Sequence, residues 1–229
     1  LTSYPAAVLW DMDGTLVDTE PVWIASEQQL VRDYGRGHWS TEEAEAMVGQ
    51  ALTKSAQVLQ EQGGVRLSIQ EIVDHLIARV QAALREQTPW QPGAYELLEQ
   101  LAQAQVPCAL VTMSYRTLAD EMLLNAPSGL FKAVVTGDQV ERGKPDPFPY
   151  QFAAKQLGVE VEKCVAIEDS LPGVASAEAS GARVLAIQHL VEIPENSGRS
   201  RTDSLEKITM ADLLKISEGN VIDHLKSDQ

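Results

Sequence analysis

Between Ala94 and Ile187 short apolar runs alternate with helix-patterned segments, and this alternation limits the fold more than any other feature. Strands are expected over Pro107–Thr112, Ala133–Thr136, Lys163–Glu168 and Arg183–Ile187. Helices are expected over Ala94–Ala104, Arg116–Asn125, Pro149–Leu157 and Val174–Ser180, the last two closed by Gly158 and Gly181. Repeated β-α units with apolar strands imply an α/β fold, a parallel sheet covered by helices on both faces. A further apolar run, Ala6–Trp10, stands near the start of the sequence and is closed by Gly14. Alone it cannot bury two faces, so it is expected to join the same sheet.

What lies between is helical. Glu20-Pro21 suits a helix start, and Val22–Tyr34 reads as one amphipathic helix. Thr41-Glu42-Glu43 opens a second, Leu52–Gln62 forms a third, and Ser68 with Glu71 opens a fourth, running to about Gln87, with capping-box spacing. Thr88–Gly93 breaks the pattern. The expected organisation is a discontinuous core, residues 1–17 and 90–229, with a helical insert over 18–89. Glu192–Arg201 reads as a loop, Thr209–Ile216 as a short helix, and Ser217–Gln229 as a polar, fraying end.

In a parallel sheet the ends of all strands share one edge, where ligands of such folds collect. The first strand delivers Asp11 and Asp13 there, the second Thr112-Met113-Ser114, and the loop after the third Arg142-Gly143-Lys144-Pro145. The fourth delivers Glu168-Asp169-Ser170. Taken singly, Thr112, Ser114 and Glu168-Asp169 fit helix caps, and Lys144 fits a solvated surface charge. A caps-only account does not require acids on two strands to face a lysine and a hydroxyl on two others. A phosphate-and-metal site does. Asp11 is then a candidate nucleophile toward phosphorus and Asp13 a candidate general acid/base. Asp11, Asp169 and Glu168 could hold Mg²⁺, whose hard character suits carboxylate oxygens. Lys144, the Thr112 hydroxyl and nearby backbone N–H groups could grip phosphate.

Eighteen basic against 33 acidic residues give the 229-residue chain a formal charge of −15. That argues against nucleic acid or an anionic membrane as partner, and an anionic substrate needs local cations. No run approaches a membrane span and no leader pattern stands at the amino end, so a cytoplasmic protein, monomeric or weakly dimeric, is expected. Cys108 and Cys164 lie in apolar runs and read as small buried hydrophobes.

Asp11-Met12-Asp13-Gly14-Thr15, Thr112, Gly143-Lys144-Pro145 and Ile167–Gly173 resemble, in order, the four motifs of the haloacid-dehalogenase-like hydrolase superfamily. The insert resembles that superfamily's subclass I α-helical cap, and Val174–Ala182 is similar to the branch containing phosphoglycolate phosphatases and β-phosphoglucomutases. The resemblance covers about residues 7–187. It implies a Rossmann-like core with an inserted cap, Asp11 as nucleophile and Asp13 as general acid/base. It implies phosphate binding by Thr112, the Met113 N–H and Lys144. Mg²⁺ is implied at Asp11, the Asp13 main-chain carbonyl and Asp169, with Glu168 direct or through water. Met113 departs from the pattern, since many relatives carry Asn there.

Asp13 separates this chain from the dehalogenases, which lack it, and favours phosphate chemistry. Mutases carry a His soon after the first motif and an Arg in the cap loop; the aligned positions here are Trp23 and Leu52. A phosphatase acting on a small phosphorylated metabolite is therefore the expected function. A phosphosugar mutase and a non-catalytic metabolite-binding protein are the alternatives. Substrate contacts are expected from Glu20, Trp23, Gly49, Gln50 and Lys54 of the cap and from Arg116 of the core.

Overall fold

Strand β1 (Ala7–Trp10) is buried along its whole length and lies at the centre of a parallel sheet in the computed structural model, which describes residues 4–226. Its neighbours are β2 (Cys108–Val111) on one side and β4 (Cys164–Glu168) on the other. Outside these lie β3 (Phe131–Val135), β5 (Arg183–Ile187) and β6 (Arg199–Thr202). The order among the described residues is β3-β2-β1-β4-β5-β6, with every pairing parallel. The expected α/β sheet, including its early first strand, is therefore the one that forms.

Period-two alternation divides the core. Val8, Trp10, Cys108, Leu110, Val165 and Ile167 face one side. There they meet α5 (Ala94–Gln103), α6 (Arg116–Leu123) and α9 (Met210–Ser217). Ala7, Leu9, Ala109, Val111 and Ala166 face the other, against α7 (Phe148–Leu157) and α8 (Leu171–Ser180). Both faces being covered explains why the strands read as continuous apolar runs. Cys108 and Cys164 are free thiols buried in these layers, and burial pushes each up to about 12.

Between β1 and β2 the chain builds α1 (Glu20–Tyr34), α2 (Thr41–Glu45), α3 (Leu52–Glu61) and α4 (Ile69–Glu86). Ser40 with Glu43, and Ser68 with Glu71, form reciprocal capping boxes at the starts of α2 and α4. Helices α1 and α3 both pack on α4, around Leu30, Val31, Leu59, Ile72, Leu76 and Val80. The two connections to the sheet run side by side: Val17 bridges Trp90, Asp18 N–H donates to Pro89 O at 2.7 Å, and Gln91 N–H donates to Leu16 O at 2.8 Å. Toward its end α4 meets α6, where Gln81 and Arg85 both donate to Glu121.

Two expectations are corrected. The span Glu192–Arg201 is not all loop, since β6 begins at Arg199. Its residues are polar, but Arg199 pairs with Glu178 at 2.7 Å and Arg201 with Asp223 at 2.8 Å, so ion pairs with half-buried acids replace apolar side chains. Nor does the end fray directly after Ser217. Arg201 N–H donates to Ile222 O, and His224 N–H donates to Arg201 O, which ties residues 222–224 along β6. The remainder of that expectation, residues 227–229, lies outside the described residues. No helix among the described residues is long and apolar enough to cross a membrane.

Candidate active site

The chain leaves β1 toward β2 and β3 on one side and later builds β4 and β5 on the other. The order thus reverses between β1 and β4. Beyond the carboxyl ends of that strand pair the covering elements diverge and a crevice opens. Asp11 follows β1, and Glu168-Asp169 closes β4. Asp11 N–H still donates to Ile167 O at 3.1 Å, so the two acidic segments leave the sheet in register.

One carboxylate oxygen each from Asp11, Glu168 and Asp169 falls within 4.8 Å of the others, and all three residues are buried. Lys144 enters from the loop after β3, with its Nζ 2.6 Å from Asp11 Oδ1 and 2.5 Å from Glu168 Oε1. Glu168 also accepts from the Tyr150 hydroxyl at 2.7 Å, from Ser170 Oγ at 3.2 Å and from Asp169 N–H at 3.2 Å. Asp169 accepts from the Thr15 hydroxyl at 3.0 Å.

Burial dominates the electrostatics. It raises Asp11 to about 7, with Glu168 and Asp13 adding to the rise and Lys144 opposing it. Burial followed by Asp11 and Glu168 holds Asp169 well above the carboxylate range. Burial alone would depress the Lys144 ammonium, but Asp11 and Glu168 outweigh it and hold Lys144 above its ordinary value. Ionised together, the three carboxyl groups against one ammonium would leave two negative charges uncompensated. That imbalance and the all-oxygen donor set fit a hard divalent cation.

Two glycines permit the packing. A Cβ on Gly14, whose φ is +81°, would lie 2.0 Å from Asp169 Oδ2. One on Gly173 would lie 2.0 Å from both Glu168 oxygens, at the start of α8, where Gly173 N–H donates to Ser170 Oγ.

Asp13 stands apart from the Lys144 cluster. Its Oδ1 accepts from Thr19 Oγ1 at 2.5 Å and from the Trp23 indole N–H at 3.1 Å; its Oδ2 accepts from Ser114 Oγ at 2.7 Å and, at 3.5 Å, from Thr112. Thr19 directs its hydroxyl to Asp13 instead of capping α1. Above this carboxylate a cavity opens between the sheet edge and the insert. Glu20, Trp23, Glu27, Gly49 and Gln50 line it with Asp11 and Asp13.

The family model described as haloacid dehalogenase-like hydrolase matches residues 8–187. The chain belongs to the haloacid dehalogenase-like hydrolases. Similar members include a phosphorylated carbohydrates phosphatase of Thermotoga maritima, 31% identical over 186 residues and 80% of this chain, 85% of that one. Hexitol phosphatase A of Escherichia coli is 30% identical over 217 residues, 93% of this chain and 96% of that one. Among solved structures, CbbY of Rhodobacter sphaeroides in complex with phosphate superposes with a TM-score of 0.78 at 25% identity, covering 90% of this chain and 96% of that one.

In this haloacid dehalogenase-like hydrolase the expected Asp11, Lys144, Glu168 and Asp169 come together, with Asp13, Thr112 and Met113 beside them. Met113 does more than offer backbone: its Sδ accepts the Lys144 N–H at 3.3 Å and would meet a Cβ on Gly143 at 2.7 Å, so the thioether seats the lysine loop. Glu20, Trp23, Gly49 and Gln50 line the cavity. Lys54 is exposed on α3 and Arg116 pairs with Asp120 at 2.7 Å; neither lines it. Thr15, Thr19, Glu27 and Tyr150 are the residues that sequence reasoning passed over. Tyr150 shares the buried stripe of α7 with Ala153 and Ala154, and an apolar stripe does not announce that its hydroxyl meets a carboxylate. Glu27 carried a signal, because it repeats Glu20, Trp23 and Ile24 at helical spacing.

Proposed function

We propose that the protein is a Mg²⁺-dependent phosphatase that hydrolyses a small phosphate monoester, a sugar phosphate or similar metabolite, through an aspartyl-phosphate on Asp11. The observation that carries this reading is the buried Asp11–Glu168–Asp169 group, closed by one lysine and lying beside a second, separately held aspartate. The named phosphatases among its relatives support it. Residues 18–89 act as the cap over a core of residues 1–17 and 90–229.

Asp11, the Asp13 main-chain carbonyl, Asp169 and Glu168 would hold the metal, which when bound supplies the charge that lets a phosphate dianion approach a carboxylate. An Asp11 oxygen bonds to phosphorus as the ester P–O bond breaks. Asp13 donates its proton to the leaving oxygen, held for that task by Thr19, Trp23 and Ser114. Asp13 then takes a proton from the water that attacks the phosphoryl group, and inorganic phosphate and free Asp11 result. Lys144, Thr112 and the Met113 N–H bind the phosphoryl oxygens. Tyr150 and Ser170 fix Glu168, so Lys144 is shared between two carboxylates in one position.

The mutase alternative calls for a cation for a second phosphate. Among the described residues no Lys, Arg or His lines the cavity. Phosphate release from p-nitrophenyl phosphate tests the function: activity is expected with Mg²⁺, lost in EDTA and lost in Asp11→Asn. Equal activity of that variant removes Asp11 as nucleophile.

A further inference from the structure

Glu20, Trp23, Ile24 and Glu27 occupy one face of α1 at i, i+3, i+4 and i+7, and all four line the cavity. The first residues of that face serve the reacting end, since Trp23 donates to Asp13. Glu27 lies one turn beyond Trp23, about 6 Å along the helix axis, and is 6% exposed. Its Oε2 is buried without a hydrogen-bond partner among the described residues. The Trp39 indole stands near enough to favour the ionised form slightly, but the pair does not reach hydrogen-bond geometry and Trp39 Nε1 is unpartnered too. A buried carboxyl with an unmet oxygen is costly, and packing alone gives no reason to keep one.

A second element repeats the pattern. Gln50, in the loop before α3, donates its Nε2 to Ala46 O at 3.0 Å, which leaves Oε1 buried, unpartnered and on the cavity wall. Around these two groups the insert contributes Ala44, Met47, Val48 and Leu52, all apolar, and the hydroxyl residue Ser55.

We propose that Glu27, together with Gln50, is a specificity-determining residue that hydrogen-bonds hydroxyl groups of an uncharged leaving group, so that the enzyme prefers hydroxylated phosphomonoesters to those bearing a second anion. This rests on the phosphatase reading above. The amide Oε1 of Gln50 can only accept, whereas a carboxyl can accept or, when protonated, donate. A hydroxyl meets both. A second phosphate or carboxylate would bring acceptors to the Gln50 acceptor and negative charge toward Asp11 and Asp13.

The test compares kcat/KM for a hexitol monophosphate, n-hexyl phosphate, phosphoglycolate and an aminoalkyl phosphate, in the wild type, Glu27→Gln, Glu27→Leu and Gln50→Leu, each with its folding checked by thermal unfolding. The wild type is expected to prefer the hexitol ester. Glu27→Leu should lose about 10- to 100-fold on it, mainly in KM, and stay within about twofold on hexyl phosphate. Glu27→Gln, which keeps hydrogen-bonding atoms, should retain most of the preference. Equal losses on hexitol and hexyl esters would make Glu27 structural and overturn the proposal, as would wild-type preference for phosphoglycolate or the aminoalkyl ester. Turnover of hexyl phosphate without hexitol preference defeats this inference alone. No turnover of any ester by the wild type with Mg²⁺ defeats the phosphatase reading and this inference with it.

Discussion

The Trp23 indole N–H donates to Asp13 Oδ1 at 3.1 Å, so a residue of the helical insert holds a carboxylate of the sheet edge. The proposed acid/base is complete only when α1 lies over β1. Trp23→Phe keeps the ring's bulk and removes the donor. We expect kcat to fall about 10-fold, with Mg²⁺ dependence unchanged. Steady-state kinetics across a Mg²⁺ series checks this; an unaltered kcat would show that Asp13 does not need the insert.

Tyr150 touches neither Asp11 nor Asp169 through a hydrogen bond, yet its hydroxyl fixes Glu168 at 2.7 Å. Supporting groups of this kind tune metal sites by about 10- to 100-fold. In Tyr150→Phe the Mg²⁺ concentration for half-maximal activity should rise within that range, while kcat at saturating Mg²⁺ changes less. A titration of activity with Mg²⁺ reads both, and an unmoved midpoint would limit Tyr150 to packing.

Gly14 has φ +81° and no room for a Cβ beside Asp169. Gly14→Ala forces a left-handed backbone on an L side chain, at a cost of about 1 kcal/mol or more, and pushes the Asp169 carboxylate aside. Lower thermal stability and weaker Mg²⁺ activation should appear together. A variant with wild-type values for both would show that the turn can relax away from Asp169.

Burial, with Glu20 adding to it, raises Glu27 to about 9 from an ordinary 4.5. The unfolded chain therefore releases this proton at lower pH than the folded one, and Glu27 weakens the fold increasingly as pH rises from about 4.5 to 9. Glu27→Gln should leave stability unchanged near pH 4 and raise Tm at pH 9, by roughly 3 °C for each kcal/mol recovered. Thermal unfolding at the two pH values measures it. A gain of equal size at both would show that ionisation is not the cause.

The sheet and its acidic edge could be read from the sequence because burial on both faces writes itself as continuous apolar runs, and because Asp11, Lys144 and Asp169 each follow a strand. The strand β6 could not, since Arg199 and Arg201 settle into the fold by pairing with half-buried Glu178 and Asp223 and read as solvated loop. The supporting residues were hidden for a related reason. Thr19 sits where a helix cap belongs, and Tyr150 sits on an apolar stripe, and at each position long-range geometry overrides the local pattern. Lys54, in the expected cap loop, and Arg116, just past Ser114, fit substrate contacts by position, but helix periodicity turns Lys54 outward, and Asp120 takes up Arg116.

The proposed mechanism requires a covalent phosphoryl group on Asp11. Single-turnover reaction with a ³²P-labelled hexitol monophosphate and Mg²⁺, quenched in acid and followed by peptide mapping, tests it directly. Hydroxylamine-sensitive label is expected on the peptide containing Asp11, and none in Asp11→Asn. Phosphate release without protein-bound label, or label that survives the Asp11→Asn substitution, would contradict it.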